Sequence, residues 1–180
     1  MDTKLIVRAS LVAALIAVLG LIPRIDIPIA AGVPITAQTL GVMLAGLLLG
    51  ARVGMMAVVL FLFVVALGAP LLSGGRGGVG VFFGPTAGYL VGWIFGAGAT
   101  GALMKVLPIR SIFARALVAA FAGGVLVIYL FGIPYLAVVA RLGLGQAILA
   151  GSVFLPGDIL KAVAAAFVAK SYLATRMQPR

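Results

Sequence analysis

The sequence predicts an all-α integral membrane protein of six transmembrane helices, with both termini in the cytoplasm. Three observations carry that expectation. Of the 180 residues, 64% are hydrophobic and 9% charged, against roughly 25% charged in an ordinary soluble domain, and mean hydropathy is +1.34. Uncharged runs cover Ile27–Ala51, Val53–Gly75, Gly77–Met104 and Ala116–Ala140, each long enough to supply the ~20 apolar residues that cross a bilayer. The basic residues fall between these runs in a one-sided pattern.

Helix one is expected at about 5–22, two at 37–51, three at 52–69, four at 86–106, five at 112–133 and six at 157–174, within a single domain. No separate charged, apolar and small-residue cleavage regions mark the start, so the first run is expected to be a retained helix and not a signal peptide. The apolar segment 134–155 forms either a short interfacial helix or a seventh span. Lys and Arg accumulate in cytoplasmic loops. Six spans place Lys4, Arg8, Arg52, Lys105, Arg110, Arg115, Lys170, Arg176 and Arg180 inside and Arg24, Arg76 and Arg141 outside, nine against three. A seventh span would move the last three of the nine outside, so six is preferred. The net charge of +10 is therefore membrane topology, not a nucleic-acid surface, since the basic residues are scattered and not interleaved with aromatics.

The chemical inventory is narrow. Cys and His are absent and the acidic residues are Asp2, Asp26 and Asp158, which removes thiolate nucleophiles, imidazole bases and the usual zinc ligand sets. No cofactor or metal is expected. The pattern G-x-x-x-x-G-K-[ST] does not occur, so no ATP loop is legible. A membrane enzyme would have to use a Ser–Lys dyad, with Ser73 or Ser152 beside Lys161. A structural subunit or a pore is a further competing class.

Three segments carry polar groups. In Phe154-Leu155-Pro156-Gly157-Asp158-Ile159-Leu160-Lys161, a carboxylate and an ammonium three residues apart share one helix face. Ionisable groups inside a membrane are costly enough to indicate function, and the alternative is an ion pair that only orients the helix start. Gly68 to Gly78 forms a glycine-rich outer linker holding Ser73 and Arg76, the one strong anion partner on that loop, followed by Gly84-Pro85-Thr86-Ala87-Gly88-Tyr89. Tyr89 either packs or stacks on a ligand ring, while Trp93, Tyr129 and Tyr135 fit interface-belt or packing roles. Thr36, Gln38 and Thr39, in Gly32 to Leu40, either hydrogen-bond a polar ligand or cap helix two, and capping suits Thr36. Ala9, Ala13 and Ala17 form a smooth contact stripe on helix one, for another chain or for a helix of this one, and internal packing is the more frequent use.

Pro34-Ile35-Thr36-Ala37-Gln38-Thr39-Leu40, Gly74-Gly75-Arg76-Gly77-Gly78, Gly84-Pro85-Thr86-Ala87-Gly88-Tyr89 and Pro156-Gly157-Asp158-Ile159-Leu160-Lys161 together resemble the biotin-specific S component of the energy-coupling-factor (ECF) transporters, the BioY family. The resemblance implies a six-helix S-component bundle in a bacterial cytoplasmic membrane that captures biotin at its outer side, with a moving loop between helices three and four. It further implies that Asp158 and Lys161 contact biotin, the loop from Ser73 to Arg76 closes above, and Ala9, Ala13 and Ala17 dock on a transmembrane coupling subunit driven by two ATPases. Tyr89 and Gln38 complete the candidate binding residues. Sibling S components take other vitamins, such as thiamine or riboflavin.

Overall fold

The computed structural model describes residues 3–26, 28–31 and 33–177; Asp2, Gly32 and Arg180, which enter the expectations from sequence, lie outside them. Every extended element among the described residues is a helix: α1 (Thr3–Gly20), α2 (Gln38–Ala66), α3 (Ala87–Val106), α4 (Ile112–Phe121), α5 (Ile128–Val139), α6 (Leu144–Ser152) and α7 (Leu155–Met177). A π-helical turn, Ala122–Val127, joins α4 to α5 without a break.

The two helices expected at 37–51 and 52–69 are the arms of α2. Gly50 sits between them at φ 78°, ψ 177°, a conformation only glycine adopts without strain. A Cβ on Gly54 would lie 2.7 Å from the Ala45 carbonyl oxygen, although nine residues of continuous helix would separate them by roughly 13 Å. The arms are therefore folded against each other. α3 packs across the fold: a Cβ on Gly46 would meet the Ala97 carbonyl oxygen at 2.5 Å, so small residues set how closely these backbones approach.

The described residues hold four continuous helices long and apolar enough to cross a membrane, or five if the bent α6–α7 pair counts as one span; dividing α2 at Gly50 gives the sixth. Helix five, expected to end at 133, runs on through Pro134 to Val139, because a helix that lacks one N–H bond is still cheaper in lipid than unpaired backbone. Beyond Val139, the segment 134–155 forms one short helix and no seventh span. α6 has nine residues and meets α7 at 50°, too short to span, with Leu144, Ile148 and Leu149 exposed and Ala147, Ala150 and Gly151 buried.

The ends of the bundle can be told apart by contacts. Gln38 at the start of α2 touches Ile16 near the end of α1 and Leu71 beyond the end of α2, and Asp158 at the start of α7 touches Thr39. Both chain termini are thus at the opposite end, with Lys4, Arg8, Arg52, Lys105, Arg110, Arg115 and Lys170 toward it, while Arg24, Arg76 and Arg141 lie at the Gln38 end. The positive-inside rule makes the terminal end cytoplasmic and the Gln38 end external.

The core is closed by small side chains: Ala162, Ala165, Ala166 and Ala169 of α7 and Ala116, Ala119 and Ala120 of α4 are fully buried in one cluster. Of the two uses open to the alanine stripe of α1, the structure shows packing within the chain. Ala9 and Ala13 are buried within the chain and Ala17 packs partly buried on the same core, because α1 turns this side toward α2, where Gly41 lets Ile16 approach. The side of α1 left open carries Val7, Leu11 and Val18 instead.

Candidate functional site

A partly enclosed cavity lies inside the external end, lined by residues of α2, α3, α5 and α7 and of the loops beside them. Its polar floor is built by three helices. Pro156 and Gly157 start α7, so Asp158 falls in the first turn, with its N–H donating to the Phe154 carbonyl at 2.9 Å; a carboxylate there is favoured by the partial positive charge of the helix start. Lys161 lies one turn on, its Nζ 2.8 Å from Asp158 Oδ1. Thr39, in the first turn of α2, accepts from Lys161 Nζ at 2.9 Å and donates to Asp158 Oδ1 at 3.2 Å. Tyr129 of α5 donates its hydroxyl to Asp158 Oδ2 at 2.8 Å. Both charges are removed from solvent, with side-chain exposures of 5% for Asp158 and 15% for Lys161.

The remaining valence defines what the floor can do. An ionised carboxylate has about four acceptor positions and an ammonium three donors. Asp158 accepts three bonds, two on Oδ1 and one on Oδ2, and Lys161 donates two, leaving one acceptor position on Oδ2 and one ammonium proton. Above them the walls are apolar. Tyr89 meets Tyr129 and Phe154 edge to face at 6.3 and 6.1 Å, and Trp93, Leu90, Leu72 and Ile128 complete the wall.

The loop after α2 forms the roof. Leu72 and Arg76 exchange two backbone bonds at 3.0 and 3.1 Å around Gly74 and Gly75, both at positive φ, the conformation that tight hairpin turns require. This turn carries Arg76 onto the cavity wall, half-buried, with Nε donating to the Ser73 carbonyl at 3.4 Å. Burial, and next the neighbouring Arg24 guanidinium, lower the Arg76 pKa from its ordinary value, with Asp26 opposing; an arginine stays charged regardless.

The expected residues divide by place. Asp158, Lys161, Arg76, Tyr89 and Gln38 all line the cavity, whereas Ser73 does not. Gln38 is spent on backbone: its amide donates to the Ile16 and Leu71 carbonyls at 3.2 and 3.1 Å and its oxygen accepts from Ser73 N–H at 3.0 Å. It fastens the roof to α1. Ser73 is buried behind the wall, with its hydroxyl donating to the Ile22 carbonyl at 3.4 Å. Ser152 is exposed and bonds the Leu149 carbonyl, so neither serine pairs with Lys161. Tyr129, expected in a belt or packing role, is a direct partner of Asp158; nothing in its local spacing marks it. The Thr86, Tyr89, Trp93 face of α3 is legible from its three-to-four-residue repeat.

Tyr129→Phe removes one bond to a charged group with almost no change of shape. It is expected to cost about 1.5–3 kcal/mol of stability, read as a lower melting temperature of the purified chain. An unchanged melting temperature would mean that Asp158 does not depend on this hydroxyl.

A helical bundle embedded in lipid, with an apolar external cavity whose buried ion pair retains one free donor and one free acceptor, is a membrane-bound receptor for a small polar molecule. The chain belongs to the BioY family, whose model matches residues 1–178. It is 48% identical over 180 residues to the biotin transporter BioY of Rhizobium etli, covering 96% of this chain and 95% of that one. It is 43% identical over 172 residues to the biotin transporter BioY of Rhodobacter capsulatus, covering 89% and 88%. A crystal structure of the S-component for biotin from an ECF-type ABC transporter matches with a TM-score of 0.87 at 30% identity, over 99% of this chain and 93% of that one.

Proposed function

We propose that the chain is the substrate-binding subunit of an ECF-type importer in a bacterial cytoplasmic membrane, capturing biotin at the external side. The observation that carries this is the residual valence of the Asp158–Lys161 pair. The ureido ring of biotin presents an N–H donor beside a carbonyl acceptor, the complement of one free carboxylate position and one free ammonium proton. The ring's apolar body fits among Tyr89, Trp93 and Phe154, and the valerate runs toward Arg76, whose guanidinium suits a carboxylate. Relatives named biotin transporters over nearly the whole chain support the same ligand.

The chain itself performs no catalysis and no pumping. Asp158 is the single carboxylate in a predicted span and is already paired with Lys161, so no second ion-coupling group is at hand. Uptake is driven by a transmembrane coupling subunit and two cytoplasmic ATPases.

A thermal-shift titration of the detergent-solubilised chain against biotin, thiamine and riboflavin tests the assignment. Biotin alone is expected to raise the melting temperature, by about 2.7 kcal/mol of added stability at a hundred times its Kd. A shift with thiamine or riboflavin in place of biotin would reassign the ligand, and no shift with any of the three would contradict a binding role.

A further inference from the structure

We propose that the binding site continues outward past Arg76 into a glycine-walled vestibule, so that the chain takes biotin amides, in which the carboxyl is joined to an amine, as well as the free acid. The inference rests on the proposed biotin-binding function, with the ureido ring on Asp158 and Lys161. A second space of ≈ 730 Å³, including open solvent, is lined by Gly75, Gly77, Gly80 and Gly84 and shares Arg76 and Thr86 with the inner cavity. A ligand carboxyl that reaches Arg76 from within therefore lies at the boundary of the two spaces.

Joining that carboxyl to an amine removes its charge but keeps a carbonyl oxygen for the guanidinium N–H groups. The substituent beyond the amide meets a wall in which Gly75, Gly77, Gly80 and Gly84 stand among Val81 and Pro85, and the glycines leave room beside it. The vestibule rim carries both signs of charge. Arg24 lies against the turn, since a Cβ on Gly74 would come within 2.7 Å of its Nη1, and it pairs with Asp26 at 2.9 Å. An α-ammonium and an α-carboxylate, as on lysine acylated at its side-chain nitrogen, match such a pair.

The test uses the purified full chain and two ligands, biotin and Nε-biotinyl-lysine. Gly80 is the residue to fill. A Cβ there meets nothing within 4 Å, and its φ lies outside the positive region, so Gly80→Phe adds a ring at the vestibule wall with no overlap at its Cβ. By calorimetric titration, the wild-type chain is expected to bind biotinyl-lysine within about a hundredfold of biotin. Gly80→Phe should weaken the amide by a further tenfold or more, about 1.4 kcal/mol, while biotin stays within about threefold, which also reports an intact fold. Biotin binding with no measurable biotinyl-lysine binding, or equal weakening of both ligands by Gly80→Phe, would overturn this inference alone. Failure of biotin itself to bind would instead overturn the function on which it rests.

Discussion

Asp158→Asn is expected to weaken biotin binding by a hundredfold or more, about 2.7 kcal/mol, and to destabilise the unliganded chain as well. The substitution keeps the shape of the side chain and removes its charge. Lys161 Nζ, now 2.8 Å from the carboxylate, would stay buried beside a neutral amide, and breaking a buried ion pair in this way costs about 3–5 kcal/mol. The new amide N–H groups would also face the Tyr129 hydroxyl and the ligand N–H, donor against donor. Calorimetry and thermal melting read the two effects separately. The double variant Asp158→Leu, Lys161→Met sharpens the test, because replacing both charges by apolar groups is often neutral or stabilising. Because it strands the Tyr129 and Thr39 hydroxyls that donate to Asp158, it should melt below wild type but above Asp158→Asn, while binding no biotin.

Gly101→Val is expected to prevent accumulation of folded chain. Its Cβ would overlap the Ala51 nitrogen and come within 2.5 Å of the Gly50 carbonyl carbon, at the turn where the arms of α2 reverse. Both atoms are backbone and have no rotamer through which to yield, so the cost exceeds the ~1–3 kcal/mol usual for overpacking among side chains. Gly145→Ala, where an added Cβ meets nothing within 4 Å, should behave as wild type. The comparison is made by monodisperse yield and melting temperature. A folded Gly101→Val protein would show that α3 and the α2 turn are not held in this close contact.

The features that could be read from the sequence were local. Runs of apolar residues gave the spans, and Arg52, standing between two uncharged runs, separated the two arms of α2. The Asp158–Lys161 spacing placed both groups on one face without knowledge of the fold. The partners of that pair were not legible, because Thr39 lies 119 residues from Asp158 and Tyr129 lies 29 residues away, and only tertiary packing brings them together. Gln38 illustrates the same limit. A buried amide beside a ligand cavity has the composition of a contact residue, yet its hydrogen bonds go to backbone 22, 33 and 35 residues distant. The alanine stripe shows a different limit: a spacing of four says that a face is smooth and not what covers it, and α1 buries Ala9 and Ala13 in the core of its own chain.

The most direct measurement is an experimental structure of the chain with biotin bound. The ureido N–H and carbonyl should lie within hydrogen-bonding distance of Asp158 and Lys161, between the Tyr89 and Phe154 rings, with the valerate directed at Arg76. Biotin lodged elsewhere, with the two charges still satisfied only by Thr39, Tyr129 and each other, would show that the pair serves the helix and not the ligand.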